Sequence, residues 1–179
     1  MNAEDSLSAP DLWSFSVNLY GSAGVKEACL SLQSNGALDV CVLLTACWSA
    51  EMKWSAWSQA DVSQILHRTE AWRKNVVLPL RAVRDYLKTF EAPNLRNSVL
   101  DLELSAERAQ LDMMAALLQG EINTPSSGDC EEADVAAANL SVYLDAAERA
   151  EPIDRAALEP DLGVLIDAAF PVRAQLSTS

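Results

Sequence analysis

The sequence is poor in the residues from which most catalytic and metal sites are built. It contains a single histidine, His67, and none of its four cysteines form a Cys-x-x-Cys pair. One histidine excludes a multi-histidine metal site, and its position beside Leu66, with Glu70 three residues on, is typical of a helix surface rather than a catalytic base. The six glycines form no phosphate-binding loop. The sequence therefore offers no catalytic residue, no metal ligand set and no cofactor site.

Long apolar runs and alternating patterns are also absent. The apolar stretch 39–48 is far shorter than the roughly 20 residues needed to cross a bilayer. The first ten residues are polar and acidic, without the basic start and apolar segment of a signal peptide. No stretch alternates apolar and polar residues with the period of a strand. We therefore expect an all-α protein of the cytoplasm that does not engage a membrane.

The same stretch, 39–48, is the strongest structural signal in the chain. Its apolar residues recur at one helical face, and its remaining residues are at best weakly polar. A helix that is apolar on every side is usually the central helix of a bundle. We predict a compact multi-helix bundle around a buried central helix at about 39–53, capped by Asp39, with an acidic helical C-terminal tail. The face consists of Val40, Leu43, Leu44, Cys47 and Trp48.

Capping and helix-breaking residues predict six or seven helices in all. A first helix begins at Pro10, with Ser8 or Ala9 as its cap, and Ser58 caps another. Pro79 predicts a kink or break near 75–79, because proline cannot donate a backbone hydrogen bond. The remaining helices are predicted at 25–33, closed by Asn35-Gly36, at 95–119, ended by Gly120, at 129–150 and at 160–170.

The predicted elements divide the chain into four parts. We expect a disordered N-terminus at 1–9, a helical domain at 10–120 and a linker at 121–130 that contains Thr124-Pro-Ser-Ser-Gly-Asp. The remaining part, 131–179, is expected to form acidic, variable helices that are mobile or only loosely docked.

The net charge of −13 is unevenly distributed. Residues 1–60 carry 6 acidic and 2 basic side chains, residues 61–110 carry 7 and 8, and residues 111–179 carry 13 and 3. Such acidity argues against nucleic acid and anionic membranes as partners, since both are polyanions. The acidity either serves solubility alone, or the acidic C-terminal third covers the basic middle or meets a basic partner.

The cysteines are expected to be free thiols. Cys29, Cys41 and Cys47 lie in apolar helical sequence without a basic neighbour, and Cys130 lies among acidic residues that raise a thiol pKa. Buried free thiols in a reducing compartment are typical of such a pattern, and neither a disulfide framework nor a zinc site is predicted.

Several stretches resemble a known family. Together they are similar to an uncharacterised proteobacterial family of short helical proteins, defined as a conserved domain of unknown function, over about residues 10–120. The resemblance implies a cytoplasmic bacterial protein whose first 120 residues are the defining domain, and it carries no catalytic residue, cofactor or partner. The matching stretches are Leu12-Trp13-x-Phe15, Leu19-Tyr20-x-x-x-Gly24-Val25-x-x-Ala28-Cys29-Leu30-x-Leu32-Gln33, Asp39-Val40-x-x-Leu43-Leu44, Cys47-Trp48, Trp72-Arg73-x-x-Val76-Val77-x-Pro79-Leu80-Arg81 and Leu102-Glu103-Leu104-x-Ala106-Glu107-Arg108.

Charged residues inside two apolar stripes are the clearest candidate site. Arg84 lies within the stripe that follows Pro79, and Glu107 lies within the stripe of the next helix. An unpaired buried charge is costly, so each needs a partner. We therefore hypothesise that Arg84 or Arg81 pairs with Glu107 or Glu103 between two antiparallel helices.

Two interpretations of these charges remain open. The pair could only fix the register of two helices, or the arginines could bind a carboxylate or phosphate in a pocket with tryptophan walls. Two tryptophans of the predicted connection at 54–58 could likewise cap the end of the bundle or form an interaction hot spot. The candidate binding residues are Trp54, Trp57, Trp72, Arg73, Arg81, Arg84, Glu103 and Glu107.

These observations favour a non-catalytic cytoplasmic module that binds a protein partner. The alternative is a small helical ligand-binding protein or enzyme that acts on an anionic, partly apolar metabolite through Arg73, Arg81 and Arg84. A homodimer is also compatible with the sequence. Arginines and tryptophans that converge on a cavity would favour the ligand, whereas a tight core with an exposed apolar patch would favour the protein partner.

Overall fold

The computed structural model describes residues 11–122, 125 and 130–171. These residues form the predicted all-α bundle, and an isolated bridge between Trp54 and Pro125 is the one strand-like pairing among them. No helix in the described ranges is both long and apolar enough to cross a membrane. The helices are α1 Leu12–Tyr20, α2 Val25–Gly36, α3 Val40–Glu51, α4 Gln59–Trp72, α5 Leu78–Tyr86, α6 Pro93–Leu117, α7 Glu132–Ala150 and α8 Arg155–Ala169.

Helix α3 is the buried centre of the bundle, as predicted. Every residue from Cys41 to Ala50 is buried. The Asp39 carboxylate accepts the backbone N–H of Cys41 and so caps the helix, which ends at Glu51 rather than at Lys53. Helices α1, α2, α6 and α7 pack around α3 and exclude water from all of its faces.

Two predicted helix ends lie elsewhere than expected. Asp11 is the cap of α1 and not a residue of its first turn, and the proposed caps Ser8 and Ala9 fall outside the described residues. Helix α2 continues through Gly36, and Ala37 adopts the left-handed conformation after it, with φ of 50°. A Cβ atom on Gly36 would lie only 2.8 Å from Cδ1 of Leu158, so a larger residue there would force Leu158 to shift where α2 and α8 approach closely.

The irregularity predicted near Pro79 is a π-helical turn. Residues Arg73–Val77 form this turn between α4 and α5, and the N–H of Leu78 bonds to the carbonyl of Arg73 five residues back. Proline clashes with the carbonyl four residues before it in a regular helix, and the wider turn relieves that clash. Helices α4 and α5 are therefore two halves of one interrupted helix. A short 3₁₀ turn, Leu87–Thr89, follows α5.

The C-terminal helices complete the core, which corrects our expectation of a mobile or loosely docked tail. Helix α7 packs against α3 and α4, and α8 packs against α2. Asn139 on α7 is fully buried and accepts the backbone N–H of Trp57 at 2.7 Å while it donates to the carbonyl of Ala46. The core residues supplied by α7 and α8 are Val135, Ala136, Leu140, Tyr143, Leu144, Leu158, Leu162 and Leu165.

Helix α8 also begins earlier than predicted. Asp154 caps it, and Pro160, which we expected at its start, lies inside it. At the start of the predicted linker, a second π-helical turn, Leu118–Ile122, continues α6 past Gly120. Most of the remaining linker, like the predicted disordered N-terminus, lies outside the described residues.

Residues 78–104, which we call the hairpin, are the least buried part of the bundle. Helix α5 contains no buried residue, and it packs against α6 and the turns that flank it. In the hairpin's portion of α6 only Val99 and Glu103 are buried. The remaining half of α6 belongs to the core. The hairpin's exposed large apolar residues are Val83, Tyr86, Phe90, Leu95, Leu102 and Leu104.

Candidate functional site

A network of charged and polar side chains lies where the hairpin joins the body of the bundle. We call it the Arg81 cluster. Helices α2, α5, α6 and α7, the cap of α3 and the π-helical turn all contribute to it, so side chains far apart in sequence meet there. Its members are Gln33, Asp39, Arg73, Arg81, Arg84, Glu103, Glu107, Gln110 and Tyr143.

Arg81 is the centre of the network. Its Nε donates to Oε1 of Glu103 at 3.0 Å, its Nη1 to Oε1 of Gln33 at 2.6 Å and its Nη2 to Oε1 of Glu107 at 2.6 Å. Every nitrogen of the guanidinium therefore has an acceptor, and two of the acceptors are carboxylates. Charge-assisted bonds of this kind are the strongest hydrogen bonds in proteins.

Arg84, one turn further along α5, also contacts the carboxylate of Glu103. Its Nη1 lies 2.9 Å from Oε2 of Glu103, and its Nη2 lies 3.2 Å from Oδ1 of Asp85. The contact with Glu103 is an ion pair whose geometry falls short of a hydrogen bond. Arg81 meets both glutamates and Arg84 only the earlier one, so α5 and α6 run antiparallel. The predicted pairing between the two helices is thus present, with Arg81 rather than Arg84 bound to Glu107.

Asp39 is the centre of a second set of contacts in the cluster, and besides burial its negative charge also raises the pKa of Glu107 in the first set. The Oδ1 of Asp39 caps α3, while its Oδ2 accepts a hydrogen bond from Nε2 of Gln110 at 2.7 Å and lies 2.9 Å from Nε of Arg73. Its backbone N–H donates to the hydroxyl of Tyr143 at 2.7 Å. A single residue before α3 therefore connects α6, α7 and the π-helical turn. Gln110 is fully buried, and only 4% of Tyr143 is exposed. Hydrogen bonds shielded from water in this way are electrostatically stronger than bonds at the surface.

Three members of the cluster were not predicted from the sequence. Gln33 and Tyr143 lie 48 and 104 residues from their bonding partners Arg81 and Asp39, and no local pattern reveals such a contact. Gln110 could have been found, because it follows Glu107 by three residues on the core face of α6. A polar residue on an apolar stripe needs a partner for the same reason that Glu107 does.

The charges of the cluster balance. Arg73, Arg81 and Arg84 face three carboxylates, those of Asp39, Glu103 and Glu107. A site that binds an anion keeps positive charge or N–H donors in surplus for its ligand. Here each nitrogen of the arginine at the centre already has an acceptor within the protein, although the buried Nε of Arg84 has no hydrogen-bond partner. The geometry therefore favours the structural interpretation of these charges over an anion-binding pocket.

The pKa of Glu107 is the electrostatic signature of the cluster. Burial raises this pKa above the ordinary value of 4.5, and the ion pair with Arg81 lowers it only in part. Between 4.5 and the raised pKa the folded protein binds more protons at this residue than the unfolded chain does. The contribution of Glu107 to stability is therefore lost as pH rises through that window.

The variant Glu107→Gln tests that sign, because it cannot titrate. We expect the free energy of unfolding of the variant, minus that of the wild type, to increase as pH rises from about 4.5. Urea unfolding at a series of pH values measures the difference, in which the ionisable groups that do not interact with Glu107 cancel. A difference that falls with pH would mean that Arg81 outweighs burial.

The tryptophans serve the core. Trp54 and Trp57 are buried, with 8% and 4% of their surface exposed, and Trp54 packs edge-on against Trp48 at a centroid distance of 5.1 Å. The Nε1 of Trp57 donates to Ser49 at 3.1 Å. The hypothesis that this pair forms an exposed interaction hot spot does not fit their burial. Trp72 is half-buried and donates to the carbonyl of Ala106 beside the Arg81 cluster.

The cysteines of the helical body are poor nucleophiles. Cys29, Cys41 and Cys47 are buried and free. Burial raises the pKa of the Cys29 and Cys47 thiols to about 12 and also raises that of Cys41. At neutral pH these thiols stay protonated and unreactive. In the part of the chain that the structure describes, no three histidine, cysteine, aspartate or glutamate side chains are grouped to hold a metal ion.

A shallow groove lies between α1 and α8. It has a volume of about 180 Å³, smaller than the roughly 300–1,000 Å³ of typical ligand pockets. It shares no residue with the Arg81 cluster. Its walls are Phe15, Asn18, Leu19, Ser22, Ala168 and Ala169.

Comparison with known proteins identifies a family but no function. Neither the curated proteins nor the solved structures include a match. The model of one protein family, described as "Protein of unknown function (DUF2390)", matches residues 11–114, which span α1 to most of α6 and contain every member of the Arg81 cluster except Tyr143. Because this match covers more than half of the chain, the protein belongs to the DUF2390 family of proteins of unknown function.

Proposed function

We propose that the protein is a non-catalytic protein–protein interaction module of the bacterial cytoplasm, and that its hairpin binds the partner. The observation that carries the proposal is an apolar face on a helix that buries none of its own residues. Val83, Tyr86 and Phe90 are 48%, 66% and 53% exposed. Val83 and Tyr86 are spaced i, i+3 and therefore lie on one side of α5. Phe90, which follows the 3₁₀ turn in an extended conformation, packs against Tyr86.

The aromatic pair within this face is typical of a binding surface. The rings of Tyr86 and Phe90 lie in contact, with centroids 5.1 Å apart. Aromatic residues dominate interface energetics because they bury a large area at a small cost in conformational entropy. Single exposed apolar residues are ordinary on a protein surface, whereas a contiguous exposed group marks an interaction site.

The Arg81 cluster holds the helix that carries this apolar face in place. It joins α5 to α6 through Glu103 and Glu107 and to α2 through Gln33. A surface held rigid before binding loses less entropy when the partner docks. The cluster thus orients the apolar face without forming a ligand site itself. The three buried free thiols fit the reducing cytoplasm.

Site-specific photo-crosslinking in the bacterial host tests the proposal. A photoreactive amino acid at position 83 or 86 is expected to give a protein–protein adduct on irradiation. The matched control is position 30 on α2, where leucine is similarly exposed at 46%. An adduct at the hairpin positions but not at position 30 supports the module. Absence of any adduct at both hairpin positions overturns the proposal.

A further inference from the structure

We infer that the partner of the hairpin is a second copy of this chain, and that two hairpins pack face to face into a four-helix bundle. The inference rests on the proposed function and names the partner of that surface. Three observations carry it: the charge of the hairpin, its helical geometry, and the placement of exposed apolar residues over the molecule.

The hairpin is electrically neutral in a strongly acidic protein. Residues 78–104 contain four basic and four acidic side chains, while the whole chain carries −13. Two copies therefore repel each other over their acidic regions, and the hairpin is a surface on which a second copy can approach without that repulsion. The basic residues are Arg81, Arg84, Lys88 and Arg96, and the acidic residues are Asp85, Glu91, Asp101 and Glu103.

The same charge pattern argues against a basic partner at this surface. A basic protein would be attracted most strongly to the acidic region of the chain, residues 111–179, which contains 13 acidic and 3 basic side chains. The helices of that region, α7 and α8, pack against α2, α3 and α4 rather than against the hairpin. Electrostatic attraction would thus draw a basic partner away from Tyr86 and Phe90.

The hairpin has the form of half a four-helix bundle. In such bundles each helix packs against two neighbours, and short loops join antiparallel pairs. Helix α5 packs mainly on α6 and the adjoining turns, and it reaches α2 through the bond of Arg81 to Gln33. The α6 residues 93–98 are all exposed. Leu95 and Leu102 on α6 are seven residues apart, the repeat of a helix–helix seam. Two hairpins related by a twofold axis would each supply the missing neighbours of the other.

Among the described residues, only three other large apolar side chains are exposed. Outside the hairpin, Val17, Leu30 and Val164 each lie on a different helix, respectively α1, α2 and α8. The hairpin's exposed apolar area is on the order of a few hundred Å² per copy, which corresponds to a weak, reversible dimer rather than an obligate one.

Sedimentation velocity on the purified full chain over a wide range of concentrations tests the inference. We expect a monomer–dimer equilibrium that added salt strengthens, because salt screens the repulsion between two acidic molecules. Tyr86→Glu should weaken dimerisation by more than about tenfold, since it places a charge in the apolar contact. Leu30→Glu, the matched control on α2, should leave the equilibrium unchanged. Circular dichroism confirms that both variants are folded.

Two results would overturn the inference. One is a chain that stays monomeric at every concentration, and the other is a dimer that Tyr86→Glu weakens no more than Leu30→Glu does. The crosslinking experiment separates these failures from failure of the interaction module. An adduct with a different protein at position 86, together with a monomeric chain, leaves the module standing and removes only the second copy.

Discussion

A chain that ends at Cys130 is expected not to fold cooperatively, although it retains the whole region matched by the family model. The truncation removes α7 and α8 with five buried leucines, Leu140, Leu144, Leu158, Leu162 and Leu165. Burial of such a side chain contributes about 1.5–3 kcal/mol, so the loss is about 8–15 kcal/mol. That equals the entire stability of a typical domain, about 5–15 kcal/mol. Helix α3, now enclosed on all sides, would also be exposed to water.

Urea unfolding followed by circular dichroism measures this effect. The shortened chain should show no steep transition, whereas a control chain that ends at Pro171 keeps both helices and should unfold like the full chain. A single cooperative transition in the shortened chain would instead show that the region before the linker folds independently. That outcome would restore the division into a 10–120 domain and an accessory C-terminal segment.

The second large effect is expected at the centre of the Arg81 cluster. Arg81→Met removes the donor of three short bonds and leaves Glu103, Glu107 and Gln33 without it. Breaking a buried ion pair by removing one partner typically costs about 3–5 kcal/mol, because a charge is left uncompensated. Adding Glu107→Leu removes one of those charges, so the double variant should recover part of the loss.

Lys88→Met is the matched control for this experiment. Lys88 also pairs with a carboxylate on the hairpin, that of Asp85, but both side chains are about half exposed. Exposed pairs contribute only about 0.2–1 kcal/mol. The urea midpoints of Arg81→Met, of the double variant with Glu107→Leu and of Lys88→Met measure the three losses of stability. If Arg81→Met costs no more than Lys88→Met, the cluster does not hold the hairpin to the body.

Local signals explain what could be predicted from the sequence. The caps at Asp39 and Ser58 and the irregular turn before Pro79 depend on a few neighbouring residues, and all were found. Pairing between an arginine of α5 and Glu107 followed from charges placed inside apolar stripes, although the residue within the stripe was Arg84 and the partner is Arg81. In contrast, the second role of Asp39 depends on contacts that only the tertiary fold creates.

The docking of the C-terminal helices was missed for a different reason. Their acidic composition suggested a solvated tail, yet acidic residues occupy the outer faces and leave an apolar stripe that includes Leu140 and Leu144. Net charge describes a helix's exposed side, whereas burial depends on where the apolar residues lie. The approach of Leu158 to Gly36 shows the same limit, because no local signal links two residues so far apart in sequence.

The complete enclosure of α3 has a consequence for how the protein opens. Its backbone amides from Leu43 to Ala50 can exchange hydrogen with solvent only when the bundle around them comes apart, so their exchange rate reports global unfolding. The amides of α5, which has no buried residue, can exchange through local fraying of the hairpin. One molecule thus contains a slow and a fast exchanging population. Both should slow down when the hairpin is covered, because a partner that binds only the folded chain also stabilises it against global unfolding.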